Sequence, residues 1–332
     1  MPRFSIIIPV YNRPGEISDL LESLAAQTVK NFEVVITEDG STIPCRDVCD
    51  RYAGKIAIRY YEQENIGRSP ARNNSMEKAT GDYFVFFDSD CVIPPDYFAT
   101  LAQELDAAPL DCFGGPDAAH DSFSDMQKAI NFAMTSFLTT GGIRGGKASL
   151  EKFTPRTFNM GFSRKVYEKV GGFREMFSED IDMSKRIEAA GFTTGLIRSC
   201  PVYHKRRLSF RKFFRQVHVF GMSRITLKLL YPGSLKPVHA LPACFVIGLI
   251  ALIVAGIFVS PWFLAPIGVY AVALFVSALL STRSLKVALM SVPAAFIQLT
   301  GYGTGFIKAF FTKIILGKGR DIEEEIAVRK GR

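Results

Sequence analysis

Residues 83–90 read Tyr83-Phe-Val-Phe-Phe-Asp-Ser-Asp90. An unbroken apolar and aromatic run that stops on two carboxylates one residue apart fits a buried strand of a parallel sheet. Ligands of open α/β sheets gather just beyond the carboxyl ends of such strands. Asp88 and Asp90 are therefore expected at a crevice, where hard oxygen ligands can hold a divalent cation against phosphates. A plainer reading stays open, in which the acids only lead into a helix begun by Pro94-Pro95.

Working outward, the same texture recurs. Phe4–Val10 reads as a first buried strand, followed by a helix that Pro14 opens and that repeats Ile17, Leu20, Leu21 and Leu24 at helical spacing. Phe32–Thr37 is a second strand, ending at Glu38-Asp39-Gly40-Ser41, and Ile56–Tyr61 a third. Helices are expected over 47–52, 70–80, 96–107, 164–170 and 180–190, with further strands near 111–115 and 157–164. Alternation at this spacing predicts an α/β fold with a mostly parallel, doubly wound sheet. Residues 116–157 are rich in Gly, Ser and Thr and are expected to form a mobile lid or acceptor-side loop, loosest at 141–146.

Three strand ends then present polar groups on one sheet edge. The first carries Pro9-Val-Tyr11-Asn12-Arg13, the second Asp39, and the fourth Asp88 and Asp90. Asp39 can accept from base or ribose donors, and Pro9 to Tyr11 can supply an apolar wall. Arg68 and Arg72, at the start of the helix after Gly67, suit phosphate or base edges, or simply a solvated helix face. In Phe177-Ser-Glu179-Asp180-Ile-Asp182, Ser178 is either an N-cap with acids complementing the helix dipole, or the mount for a general base. His204 is either structural or a neutral imidazole completing a metal site.

The 332-residue chain is 48% hydrophobic with a net charge of +8, and both properties are unevenly spread. Uncharged runs cover 241–259, 261–281 and 287–307, long enough for membrane helices. No Asp or Glu lies between Glu188 and Asp321, while Lys205, Arg206, Arg207, Arg211, Lys212, Arg215, Arg224, Lys228 and Lys236 lead up to the first run. Beside a membrane segment, such a block implies contact with membrane lipids and a cytoplasmic N-terminal domain rather than nucleic acid. Two topologies are open. Three crossings would put Lys308, Lys313, Lys318 and Arg320 outside; two crossings plus a re-entrant or interfacial segment, broken at Gly301–Gly305, would keep them inside. Phe4–Val10 is too short for a leader. The six cysteines show no metal or redox spacing and are expected as free thiols in a reducing compartment.

Together these residues resemble the inverting glycosyltransferases of family 2, which have the GT-A fold (Rossmann-like, nucleotide-sugar-binding). The matching stretches are Ser5–Asn12, Glu38–Ser41, Asn65–Asn73, Asp88-Ser-Asp90, Asn159–Arg164 and Ser178–Asp182, in the family's order. The resemblance implies a catalytic domain over 1–230, a helical membrane region over 231–320 and a charged cytoplasmic tail over 321–332. It implies that Asp39 contacts the base, Asp88 the ribose, and Asp90 a Mg²⁺ or Mn²⁺ ion on the diphosphate. It also implies that Asp180, beside Glu179, deprotonates the acceptor and that His204 completes the metal site. The polymerising members' Gln-x-x-Arg-Trp is absent, since Gln216 is followed by Val-His-Val-Phe; one sugar per encounter is expected. The expected partners are a nucleotide-diphosphate sugar donor and a lipid-linked or glycan acceptor, in polysaccharide biosynthesis of the cell envelope, at the inner membrane with several crossings. The alternatives are transfer to polyprenyl phosphate, or a non-catalytic, membrane-tethered nucleotide-sugar-binding protein.

Overall fold

The structure, a computed structural model, describes residues 3–118, 120, 123–142, 153–205 and 208–318. They fall into two compact units, one drawn from Met1–His120 and Lys152–Lys205, the other from Asp121–Glu151 and Arg206–Ala327.

The first unit is built on β1 (Phe4–Val10), β2 (Phe32–Asp39), β3 (Ala57–Gln63) and β4 (Tyr83–Phe86), joined by α1 (Pro14–Ala25), α2 (Arg46–Tyr52) and α3 (Arg68–Lys78). All their pairings are parallel, as helical crossovers require. Strand β1 lacks polar alternation because each face has its own core. Ile6 and Ile8 pack with Leu20, Leu21 and Leu24 of α1, while Ile7 joins Val35 and Met76 on the other side. Buried Ser5 donates to Glu33 Oε1 at 2.7 Å, which partners the hydroxyl inside the sheet.

After β4 the chain turns over Asp88–Cys91, closed by the Cys91 N–H donating to the Asp88 carbonyl at 3.1 Å. It enters β5 (Cys91–Val92), α4 (Tyr97–Ala107), β6 (Cys112–Gly114) and β7 (Asp117–Ala118). The main sheet has seven strands, in the order β3-β2-β1-β4-β8-β6-β9, with β8 (Met160–Ser163) antiparallel to both neighbours and β9 (Thr194–Leu196) parallel to β6. The fold is therefore a mostly parallel mixed sheet. The helices α7 (Arg164–Val170) and α8 (Glu179–Ala189) pack Val166, Met183 and Ile187 on the face shared with Ile7. A second sheet of three strands joins β5, β10 (Val202–His204) and β7, in the order β5-β10-β7.

In the second unit, the segment expected to be a loop carries α5 (Asp125–Thr135) and α6 (Phe137–Thr140). Ser124 and Gln127 form a capping box that starts α5, and Ile130, Ala133 and Met134 give it an apolar face, which overrides the polar composition. The looser 143–152 part of that expected lid lies outside the described residues. Then come α9 (Phe210–Leu230), α10 (Leu241–Phe258), α11 (Ala265–Thr282) and α12 (Leu285–Ala309). By packing, α9 goes with the apolar helices rather than with the first unit. Three helical segments, Pro237–Phe258, Pro261–Thr282 and Leu285–Ile315, are long and apolar enough to cross a membrane. The break expected at Gly301–Gly305 does not occur. These glycines are buried within continuous helix, because an added Cβ would strike the backbone carbonyls of Pro242 at Gly303 and His218 at Gly305.

Candidate active site

The turn after β4 places its two carboxylates in different company. Asp88 accepts from Arg72 Nη2 at 2.8 Å, and Arg72 Nη1 donates at 2.9 Å to Glu179, the first residue of α8. Arg68 Nη2 reaches the other Glu179 oxygen at 2.6 Å. Arg72 and Glu179 are 1% and 2% exposed, so the central pair of this chain of charges is buried and held by a short charge-assisted bond. Burial pushes the Glu179 carboxyl up, and the pull of Arg68 and then Arg72 opposes that rise.

Asp90 faces the other way. His204 Nε2 lies 3.1 Å from Asp90 Oδ1, and Arg13 Nη1 3.3 Å from Asp90 Oδ2. Strand pairing delivers the imidazole, since β10 runs antiparallel to β5 with His204 opposite Cys91. The Lys205 N–H donates to the Asp90 carbonyl at 2.9 Å, and the His204 ring stacks on Phe158 with centroids 4.9 Å apart. Asp90, Cys91 and His204 each offer one ligand atom within 4.8 Å of the others. The Cys91 thiol donates to the Phe158 carbonyl at 3.6 Å, and burial holds its pKa well above the usual thiol range. With the thiol engaged by that carbonyl, the Asp90 carboxylate and the His204 imidazole are the facing pair of donors, 3.1 Å apart. Asp88 is not part of this cluster.

Asp39 is also committed. Its oxygens accept from Gln63 Nε2 at 2.8 Å and from the N–H groups of Ile66 at 3.1 Å and Gly67 at 3.0 Å, holding the turn into α3. Asn12, at φ 54°, accepts from the Ile43 N–H at 2.9 Å and so ties the end of β1 to the loop after β2. Tyr11 is exposed and Pro9 half-buried at the same edge.

Ser178 does not cap α8. It sits at φ 66° and its side chain makes no cap bond; its carbonyl instead accepts the Ile181 and Asp182 N–H groups. Asp182 is fully buried between Arg174 and Arg186. Asp180 differs from both acidic neighbours. Its side chain keeps 16% exposure, with Arg156 Nη1 at 3.6 Å from Oδ2. Sequence reasoning passed over Arg156, which reaches Asp180 only through tertiary placement, and Cys91, which directly follows Asp90.

A parallel sheet interrupted by one antiparallel strand, with acids clustered at the end of its central strand, defines a GT-A-like domain. The chain belongs to glycosyl transferase family 2, whose sequence pattern matches residues 5–171. It is 29% identical over 222 residues to validoxylamine A glucosyltransferase of Streptomyces hygroscopicus subsp. jinggangensis, covering 58% of this chain and 52% of that one. It is 41% identical over 98 residues to the putative glycosyltransferase EpsH of Bacillus subtilis, covering 29% and 28%. A 104-residue stretch, 31% of this chain, is 38% identical to glycosyltransferase GlyA of Streptococcus pneumoniae but spans 15% of that protein. The chain thus spans about half or less of these relatives. The fold is shared with the mannosyltransferase PcManGT of Pyrobaculum calidifontis, solved with GDP-Man and Mn²⁺. The TM-score is 0.59 at 17% identity, over 94% of this chain and 88% of that one.

Proposed function

We propose that the protein is a membrane-anchored, inverting transferase. It moves one sugar from a nucleotide-diphosphate donor to a hydroxyl of a lipid-linked or membrane-proximal glycan. The observation that carries this reading is the separation of three acidic jobs: Asp90 beside His204, Asp88 tied through Arg72 to Glu179, and Asp180 left accessible at the start of α8.

The Asp90–His204 pair suits a divalent cation, because carboxylate is a ligand for Mg²⁺ and Mn²⁺ and imidazole favours transition metals. When bound, such a cation neutralises charge growing on the leaving diphosphate, a contribution of several kcal/mol. Arg13, already on Asp90, is placed to meet a phosphate oxygen. Asp88 faces the ribose. Asp39 uses three of the roughly four acceptor positions of a carboxylate on its own turn, which leaves one for a base N–H beside Tyr11. Asp180 takes the proton of the acceptor hydroxyl as its oxygen attacks the anomeric carbon opposite the departing diphosphate, which inverts that centre. Glu179, buried against Arg68 and Arg72, is a positioning residue that fixes the start of α8.

Asp180→Asn tests the base assignment. The expected loss in kcat is about 10²–10⁴-fold with donor affinity retained, and near-normal turnover would remove Asp180 from that role. An accessible Asp180 favours a hydroxyl acceptor over polyprenyl phosphate, which is already anionic. A donor panel with and without EDTA addresses the binding-protein alternative, since metal-dependent nucleotide release requires an enzyme. The apolar α10–α11 pair supports membrane anchoring. The cations between Lys205 and Lys236 support a cytoplasmic catalytic domain on the inner membrane, in cell-envelope polysaccharide assembly.

A further inference from the structure

The three apolar helices of the second unit are not used alike. Helices α10 and α11 are joined as a hairpin by a tight turn, with Gly256 of α10 packed on Leu264 at the turn and the Phe245 and Tyr270 rings 5.8 Å apart. The distal part of this hairpin exposes Ile250, Ile257, Phe258, Trp262 and Val269.

A third crossing, antiparallel to α11, would run along this hairpin toward its turn. Helix α12 does not. Its Phe296 ring lies 5.9 Å from Phe245 and 5.8 Å from Tyr270, while its Ala288 and Ala294 share a core with Leu274 and Ala278 of α11. Further along, where a crossing would have reached the far side, Gly303 abuts the Pro242 carbonyl, and Phe306 and Ala309 share a core with Ala243. The two ends of α12 thus lie where α11 finishes and α10 begins, while its middle reaches Tyr270 of α11.

The opposite side of α12 is covered. Ile130 and Ala133 of α5 join its Ala294 and Ala295; on α9, Val217 packs against Gly301, and the His218 carbonyl against Gly305. Thr226 accepts from Lys313 Nζ at 2.9 Å, so α9 runs beside the second half of α12 in the same direction. The apolar window of this third segment is 44% buried, against 17% and 11% for the two hairpin segments. If α12 crossed, α9 would enter the hydrocarbon with Arg211, Lys212, Arg215, Arg224 and Lys228, which is strongly unfavourable.

We infer that α12 does not cross the bilayer: with α5 and α9 it forms an in-plane platform at the base of the hairpin, and Arg211, Lys212, Arg215, Lys308 and Lys318 bind acidic phospholipid headgroups. Those five side chains are exposed, no Asp or Glu occurs between Glu188 and Asp321, and the acid that begins α5, Asp125, is already paired with Lys286 at 2.7 Å. Phe214, Phe310, Phe311 and Ile315 are exposed on the same helices, the mixture of cations and large apolar groups that seats a helix at the headgroup boundary. Cations of this number facing one leaflet add attraction to acidic lipid above that for zwitterionic lipid. The inference rests on the membrane reading proposed above and settles its topology as two crossings.

Single cysteines in a Cys244→Ser background, probed with an impermeant maleimide on sealed vesicles, test the topology. Leu285→Cys and Lys318→Cys are expected to react from one side and Val259→Cys from the other. Lys318→Cys reacting together with Val259→Cys would show three crossings and overturn the inference while leaving the hairpin intact. Val259→Cys reacting together with Leu285→Cys would remove the membrane reading and the inference with it. Native mass spectrometry of the full chain tests the headgroup assignment. The triple change Arg211→Gln, Lys212→Gln and Arg215→Gln should lower retained phosphatidylglycerol about tenfold or more, with phosphatidylcholine unchanged. Equal retention of phosphatidylglycerol by both proteins would overturn it.

Discussion

Arg72 is the residue that holds two carboxylates of the candidate site. Its guanidinium reaches Asp88 and Glu179 at once, a span that matches the fixed fork of arginine and that a single ammonium cannot reproduce. Arg72→Met leaves Glu179 buried with only Arg68 beside it. Breaking a buried pair costs about 3–5 kcal/mol, so thermal unfolding of the detergent-solubilised chain should begin several degrees lower. Arg72→Lys should retain most of that stability but lose turnover, because Asp88 and the start of α8 are no longer held by one rigid group. A melting temperature unchanged in Arg72→Met would show that the pair contributes nothing net. The residue types and their edge of the sheet were readable from sequence, since strand ends and helix starts fix them. The partnerships were not, because Arg72 to Glu179 is a contact across 107 residues, and an arginine after a glycine turn looks the same whether it meets a phosphate or a buried acid.

At the scale of elements, the least legible pieces are the short ones. Strands β5, β7 and β10 are two or three residues each, too short to show a period, yet they bring His204 to Asp90. If the pairing positions the imidazole, disturbing the strand should imitate loss of the ring. His204→Ala is expected to raise the metal concentration for half-maximal activity at least about tenfold. Val202→Pro removes the N–H that donates to the Pro116 carbonyl at 3.0 Å and should shift the same metal curve with His204 untouched. A Val202→Pro chain that stays folded and keeps the wild-type metal curve would separate the strand from the site. The antiparallel β8 was equally hidden: its four residues read as a strand, but nothing local sets direction. The glycines of α12 left a break open as one of two topologies for a related reason, since their partner α9 lies about 85 residues earlier and glycine alone does not say whether it bends a helix or admits a neighbour. Gly305→Ala sets a methyl against the His218 carbonyl, a backbone atom that cannot swing away, and should cost about 1–3 kcal/mol in thermal unfolding. Gly248→Ala, which meets nothing within 4 Å, is the matched control and should be neutral or slightly stabilising.

For the whole molecule, the alternation of strands and helices made the α/β class legible early, because each buried strand of a parallel sheet needs a covering helix on the way to the next. The division by packing was less visible, since α5 and α9 carry polar residues yet join the apolar helices through one face each. On the membrane reading proposed above, two forces of different kind hold the chain to a bilayer. The hairpin offers uncharged segments of mean hydropathy 2.7 and 2.3, and each large apolar side chain moved out of water contributes about 1.5–3 kcal/mol. A surface cation contributes about 1 kcal/mol, and salt screens it. With Ile250, Ile257, Phe258, Trp262 and Val269 among many exposed apolar groups, the hydrophobic share exceeds the electrostatic one several-fold. Washing membranes with 1 M salt or with alkaline carbonate should therefore leave the protein in the pellet, as followed by sedimentation and immunoblotting. High salt should act only on the platform, increasing maleimide labelling of Lys308→Cys without releasing the chain. Release by carbonate alone would mean that the exposed face of α10 and α11 is covered by another protein chain instead of lipid, because only an aqueous-side assembly comes apart without dissolving the bilayer.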